Sequence, residues 1–228
     1  MTESSALTPG RRQAEKTGNA GKTGKTGAKE RPPGVRAVIR AVIFDLDGTL
    51  IEAPLDFDAL RGELGVEGPL LEAIEALTGE ARRRAEEALT RHEDSASRRS
   101  RPVEGSRDVL RRLRARGVKT AILTRNSRRS LERAVQSHDL RVDALRSRDD
   151  GPSKPSPAPV LEICRQLGVA PAETLVVGDY VFDVDAANAA GAISVYLLGD
   201  NGAPGPPGAR RTIRRLAEVL ELADRLVD

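Results

Sequence analysis

From Val35 to Leu198, short runs of β-branched and other apolar residues alternate with longer stretches whose apolar residues recur at threes and fours. A parallel sheet requires that alternation. Each strand must return to the same edge through a crossover, and helical crossovers cover both faces of the sheet. Five strands are predicted: "VRAVIRAVIFDL" from Val35, "KTAILT" from Lys119, "VDALRS" from Val142, "TLVVGD" from Thr174 and "AISVYLL" from Ala192. Stretches such as "SRDVLRRLRARG" and "SRRSLERAVQSH" read as the covering helices, with their arginines toward solvent. The expected fold is α/β, a Rossmann-like core with a five-stranded parallel sheet and helices on both faces, assembled from residues 35–50 and 102–228.

Between Ile51 and Arg101 the alternation stops. "DFDALRGEL", "GPLLEAIEAL" and "GEARRRAEEALTRHEDSASRRS" all carry helical spacing, and no strand is predicted among them. Residues 51–101 are therefore expected to form a small all-helical cap, inserted after the first strand and placed over the sheet's C-terminal edge. Within it, His92, Glu93 and Asp94 of "TRHEDS" read as a solvated helix end, and His138 of the core reads as a helix cap or surface residue. "GAPGPPGAR" has glycine at every third place, but three triplets cannot sustain a collagen helix, so it is expected to be a rigid loop before a closing helix from Thr212.

The first 34 residues are poor in large apolar side chains, and their composition is that of a disordered basic tail. Seven positive residues stand there against three negative ones, a net +4 in a chain of net +3, so the remainder carries −1. The high pI, about 9.3, thus belongs to the tail rather than to a folded basic surface. "GKTGKTG" ends like a phosphate loop, but the required glycine five residues earlier is replaced by Lys16 or Asn19. The only aromatic residues are Phe44, Phe57, Phe182, Tyr180 and Tyr196, too few for a stacking platform. Nucleic acid is not an expected partner, beyond weak contact through the tail. Cys164 is the sole cysteine and can make neither an internal disulfide nor a cysteine-based metal site. With no apolar run long enough for a membrane span, a soluble cytoplasmic protein, monomer or dimer, is expected.

The chemistry-bearing residues fall at predicted strand ends. Asp45 and Asp47 of "DLDGTL" follow the first strand, and Thr124 follows "AIL". Lys154 lies in "SKPSP", and Asp179 and Asp183 lie in "VVGDYVFD". Strand ends on one edge of a parallel sheet meet in space. A calcium loop fails in the last stretch, because Val181 and Val184 occupy the third and sixth positions, and Asp185 reads as helix surface. In order, "DLDGTL", "LT", the isolated "KP" and "GDxxxD" resemble the four motifs of the haloacid dehalogenase superfamily, and within it the phosphoglycolate phosphatase group, over about Val38 to Leu198.

That resemblance implies a Mg²⁺-dependent phosphatase acting on a small phosphorylated metabolite through an aspartyl phosphate. By the same resemblance, Asp45 is the nucleophile and Asp47 the acid/base, while Thr124 and Lys154 bind and neutralise the phosphoryl group. Metal ligands are carried over to Asp45, Asp47 through its backbone carbonyl, Asp179 and Asp183. The acidic, all-oxygen set accords with that ion, since clustered carboxylates repel one another without a cation. Arg125 and Asn126 follow Thr124 and are candidate substrate contacts. This chain has Thr-Arg-Asn where the phosphoglycolate group often shows Thr-Asn-Lys, and its cap is shorter. A sugar phosphomutase similar to β-phosphoglucomutase keeps both aspartates and stays open as an alternative. So does a non-catalytic regulatory protein that uses the basic tail.

Overall fold

A computed structural model describes residues 38–199 and 205–224. The tail at 1–34, with "GKTGKTG", and the start of the first predicted strand lie outside them. "AVIF" forms β1 (Ala41–Phe44), whose four side chains are all buried. Val42 and Phe44 point to one face of the sheet and Ile43 to the other, as the two-residue period of a strand requires. Val38 to Arg40 are not strand, although the Arg40 N–H donates to the Glu173 carbonyl at 2.9 Å.

After β1 the chain makes β2 (Ile51–Glu52), three helices, α1 (Phe57–Leu64), α2 (Leu70–Ala76) and α3 (Gly79–Arg99), and then β3 (Arg101–Pro102). The remaining order is α4 (Ser106–Ala115), β4 (Lys119–Leu123), α5 (Arg128–Ser137), β5 (Ala144–Arg146), α6 (Ala158–Leu167), β6 (Thr174–Gly178), α7 (Val181–Ala189), β7 (Ile193–Leu197), β8 (Arg211–Ile213) and α8 (Val219–Asp224). The main sheet is parallel throughout, in the order β5-β4-β1-β6-β7-β8. Its topology reverses at β1, with β4 on one side and β6 on the other. Such a switch point opens a crevice at the C-terminal strand ends.

Each face has its own core. On one, Val42, Phe44 and Ile122 pack with Val109 and Leu113 of α4, Leu131 of α5 and Leu220 of α8. On the other, Ile43, Ala121 and Val176 meet Val160 and Ile163 of α6 and the small residues Ala186 and Ala187 of α7. The helices between β2 and β3 build a third cluster from Leu60, Leu70, Ile74, Ala85, Ala88 and Leu89.

Two expectations need correction. The sheet has six strands, because "RTI", expected to open the closing helix, pairs with β7, and Ile213 buries against the core. A three-residue edge strand is too short to show a period, and the β-branched pair Thr212 and Ile213 was its only trace. The second correction is a two-stranded antiparallel ribbon, β2 with β3, at the point where the helical insert leaves and rejoins the core. Its pairing joins residues about 50 positions apart in sequence, so no local pattern announces it.

Candidate active site

Four side chains meet where β1, β6 and α7 converge. The Lys154 ammonium, 3% exposed, lies 2.6 Å from Asp45 Oδ1 and 2.6 Å from Asp183 Oδ1. Carboxylate oxygens of Asp45, Asp179 and Asp183 fall within 4.8 Å of one another. Burial works against the charge on Lys154, but attraction to Asp183 and Asp45, with a hydrogen bond to each, outweighs it and holds the lysine protonated. Asp183 is further fixed by the Tyr180 N–H at 3.2 Å, at the start of α7.

Among the described residues, Asp179 has Thr49 Oγ1 as its side-chain donor, at 3.3 Å. Its carboxyl is pushed up to about 6, first by burial and then by the charge on Asp45. Backbone packing around these acids is close. Gly48 has φ +74°, and a Cβ there would stand 2.1 Å from Asp179 Oδ2. At Gly178 an added Cβ would fall 2.1 Å from Asp183 Cγ. Glycine is required at both positions for the acids to approach the sheet edge.

Asp47 stands apart from the cluster of three. The Asn126 amide donates to its Oδ2 at 2.5 Å, and its Oδ1 is buried without a partner. Burial comes first in raising its carboxyl to about 7, the Asp45 charge second, with Glu93 adding to them and the Asn126 hydrogen bond pulling down. A carboxyl at that value exchanges a proton near neutral pH.

The loop after β4 carries the other candidates. Thr124 is buried, and its Oγ1 accepts from the Asn126 N–H at 3.1 Å. Arg125 turns away toward the insert, donating to Glu72 at 2.6 Å with its guanidinium 4.6 Å over the Phe182 ring. Of the two expected substrate contacts, then, Asn126 holds Asp47, and Arg125 ties α2 to the core.

Glu93 overturns its reading as part of a solvated helix end. It is 3% exposed, ion-paired with Arg148, and accepts from the Ser127 N–H at 3.3 Å. The signal was available, because Glu93 lies four residues after Leu89 and three before Ala96, on the buried stripe of α3. Its neighbours differ. His92 Nε2 is 2.9 Å from Glu63 and partly exposed, and Asp94 pairs with Arg129 and Arg133. His138 caps α5 by position, and its Nε2 lies 2.8 Å from Ser100 Oγ. Asp185 is exposed on α7, as expected.

Residues 39–191 match the family of haloacid dehalogenase-like hydrolases. The chain belongs to that family and is a hydrolase. It is 32% identical over 183 residues to a phosphoglycolate phosphatase of Thiobacillus denitrificans, covering 67% of this chain and 80% of the relative. An uncharacterized hydrolase of Saccharomyces cerevisiae is 33% identical over 168 residues, 70% of this chain and 77% of the yeast protein. Among solved structures, a hydrolase of the same family from Deinococcus radiodurans with bound phosphate and sodium aligns with TM-score 0.61 at 26% identity, covering 82% of this chain and 96% of that one. Among the described residues, no helix is long and apolar enough to cross a membrane.

Proposed function

We propose that the protein is a Mg²⁺-dependent phosphatase that hydrolyses a small phosphomonoester through an aspartyl phosphate on Asp45. The observation that carries this reading is the convergence of Asp45, Asp179 and Asp183 around Lys154, with Asp47 held separately beside them. The names of the relatives, phosphoglycolate phosphatase among them, support a substrate of that size.

The donor set fits the metal. Three carboxylates share one ammonium, which leaves a net negative, all-oxygen site, and burial, with repulsion from Asp45 added to it, already raises Asp179. Hard oxygen donors with uncompensated charge suit Mg²⁺. Asp45, Asp179 and the Asp47 carbonyl would hold it, with Asp183 behind them. When bound, the ion supplies positive charge that screens the phosphoryl group from the carboxylates.

The residues of the chain account for the remaining chemistry. Asp45 attacks phosphorus as its carboxylate, and the P–O bond to the alcohol breaks. Asp47 delivers its proton to the departing oxygen, so the alcohol leaves neutral. Asp47, now a carboxylate, takes a proton from water, whose oxygen attacks the aspartyl phosphate and releases phosphate and free Asp45. Lys154 and the Thr124 hydroxyl face the negative oxygens of the phosphoryl group.

Phosphate release from a panel of small phosphomonoesters, with and without Mg²⁺, tests the reading. Asp45→Asn is expected to lose turnover, because an amide does not attack phosphorus. Wild-type hydrolysis from that variant rules out Asp45 as nucleophile, and isomerisation of a hexose 1-phosphate without phosphate release replaces the phosphatase with a mutase.

A further inference from the structure

Beside Asp47, between insert helix α3 and core helix α5, lies a pocket with ≈ 10 Å³ of free space. That is room for about one water-sized group. Its walls are apolar at Leu46, Ile51 and Ala96, but three lining residues each carry a buried oxygen with no hydrogen-bond partner among the described residues: Asp47 Oδ1, Ser97 Oγ and Ser130 Oγ. Ser97 and Ser130 are 7% and 2% exposed. Buried hydroxyls are nearly always satisfied, so two left bare on opposite walls of one pocket mark a place where a polar group belongs.

The pocket is also selective in charge. Its only charged lining residues are Asp47 and Glu93, both acidic. No lining residue is a cation, and nearby Arg148 is held by Glu93 and the Arg125 carbonyl. A carboxylate entering here would be buried with no lining cation to meet it.

Resting on the phosphatase reading, we infer that Ser97 and Ser130 form the leaving-group subsite of this enzyme, and that it takes the monophosphate of a short neutral alcohol bearing a second hydroxyl in preference to a phosphorylated hydroxy acid. A hydroxyl on the second carbon from the ester oxygen would enter the pocket and satisfy both serines. Asp47, the acid that protonates the departing oxygen in that reading, lines the same pocket.

Three esters of matched size test this with the full chain and Mg²⁺: ethyl phosphate, 2-hydroxyethyl phosphate and 2-phosphoglycolate. Expected kcat/KM is highest for the hydroxyethyl ester, by roughly tenfold or more over each of the others. In Ser97→Ala/Ser130→Ala the ratio of hydroxyethyl to ethyl ester should fall toward one. An unchanged ratio in that variant, or phosphoglycolate turned over as well as the hydroxyethyl ester, overturns the inference and leaves the pocket as a site for structural water. Thermal-shift titration with the same esters reads the subsite without turnover. Binding in the expected order with no phosphate release defeats the phosphatase reading alone, and hydrolysis with phosphoglycolate preferred defeats the subsite alone.

Discussion

Gly48 shows how narrowly the site is drawn. Its φ of +74° excludes most side chains, and an added Cβ would overlap the Asp179 carboxylate. Gly48→Ala is expected to cost about 1–3 kcal/mol of stability and to remove most activity, because Asp179 must move or the turn after β1 must open. Urea unfolding and phosphate release read the two effects separately. A second residue carries a pH signature. Burial pushes the Asp150 carboxyl up, but hydrogen bonds from Arg128 and Ser147 outweigh it and hold the group at about 2, against an ordinary 3.8. A depressed folded-state value means that its contribution is complete above about pH 4 and is lost as pH falls toward 2. Asp150→Asn should flatten the fall of melting temperature across that window, and an unaltered acid limb would show that Asp150 is not a source of it. Asp45, Asp47, Thr124, Asp179 and Asp183 stood out in the sequence because each follows a strand or lies in the first turn of a helix, and Lys154 stood out as the isolated lysine of "SKPSP". That Asn126 donates to Asp47 could not be, because the contact spans 79 positions.

Among the elements, α3 is the most informative. Its stripe of Ala85, Ala88, Leu89 and Ala96 packs inward, and the same stripe carries Glu93 to the core and Ser97 to the pocket. The insert has its own small core, with Leu60 fully buried at its centre. Leu60→Ala should therefore loosen α1 to α3 by about 2–5 kcal/mol while leaving the sheet intact. Hydrogen exchange reads this directly: amides of α1 to α3 lose protection, those of β1, β4 and β6 keep it, and equal loss throughout would show a single cooperative unit. Elements with long periodic patterns were legible, including α3, α4 and α5. Three of the short strands were not. β2, β3 and β8 have two or three residues each, and their strand character comes from a distant partner rather than from their own pattern.

For the molecule as a whole, the proposed metal site among the sheet-edge acids predicts a stability that responds to Mg²⁺. Binding that favours the folded chain adds about 2.7 kcal/mol at a hundred times Kd, or about 5–10 °C in melting temperature for a domain this size. Mg²⁺ should produce such a shift, EDTA should reverse it, and Asp179→Asn should abolish it. An equal shift in the variant would place the ion elsewhere. The parallel α/β layering and the family motifs were already written in the order of residues, because strand and helix periods are local and the motifs sit at strand ends. The sixth strand, the pairing of Glu93 with Arg148, the partner of Asn126 and the bare hydroxyls of Ser97 and Ser130 emerged only once the chain was folded. Each depends on what a side chain meets across tens of residues, and that is set by packing rather than by its neighbours along the chain.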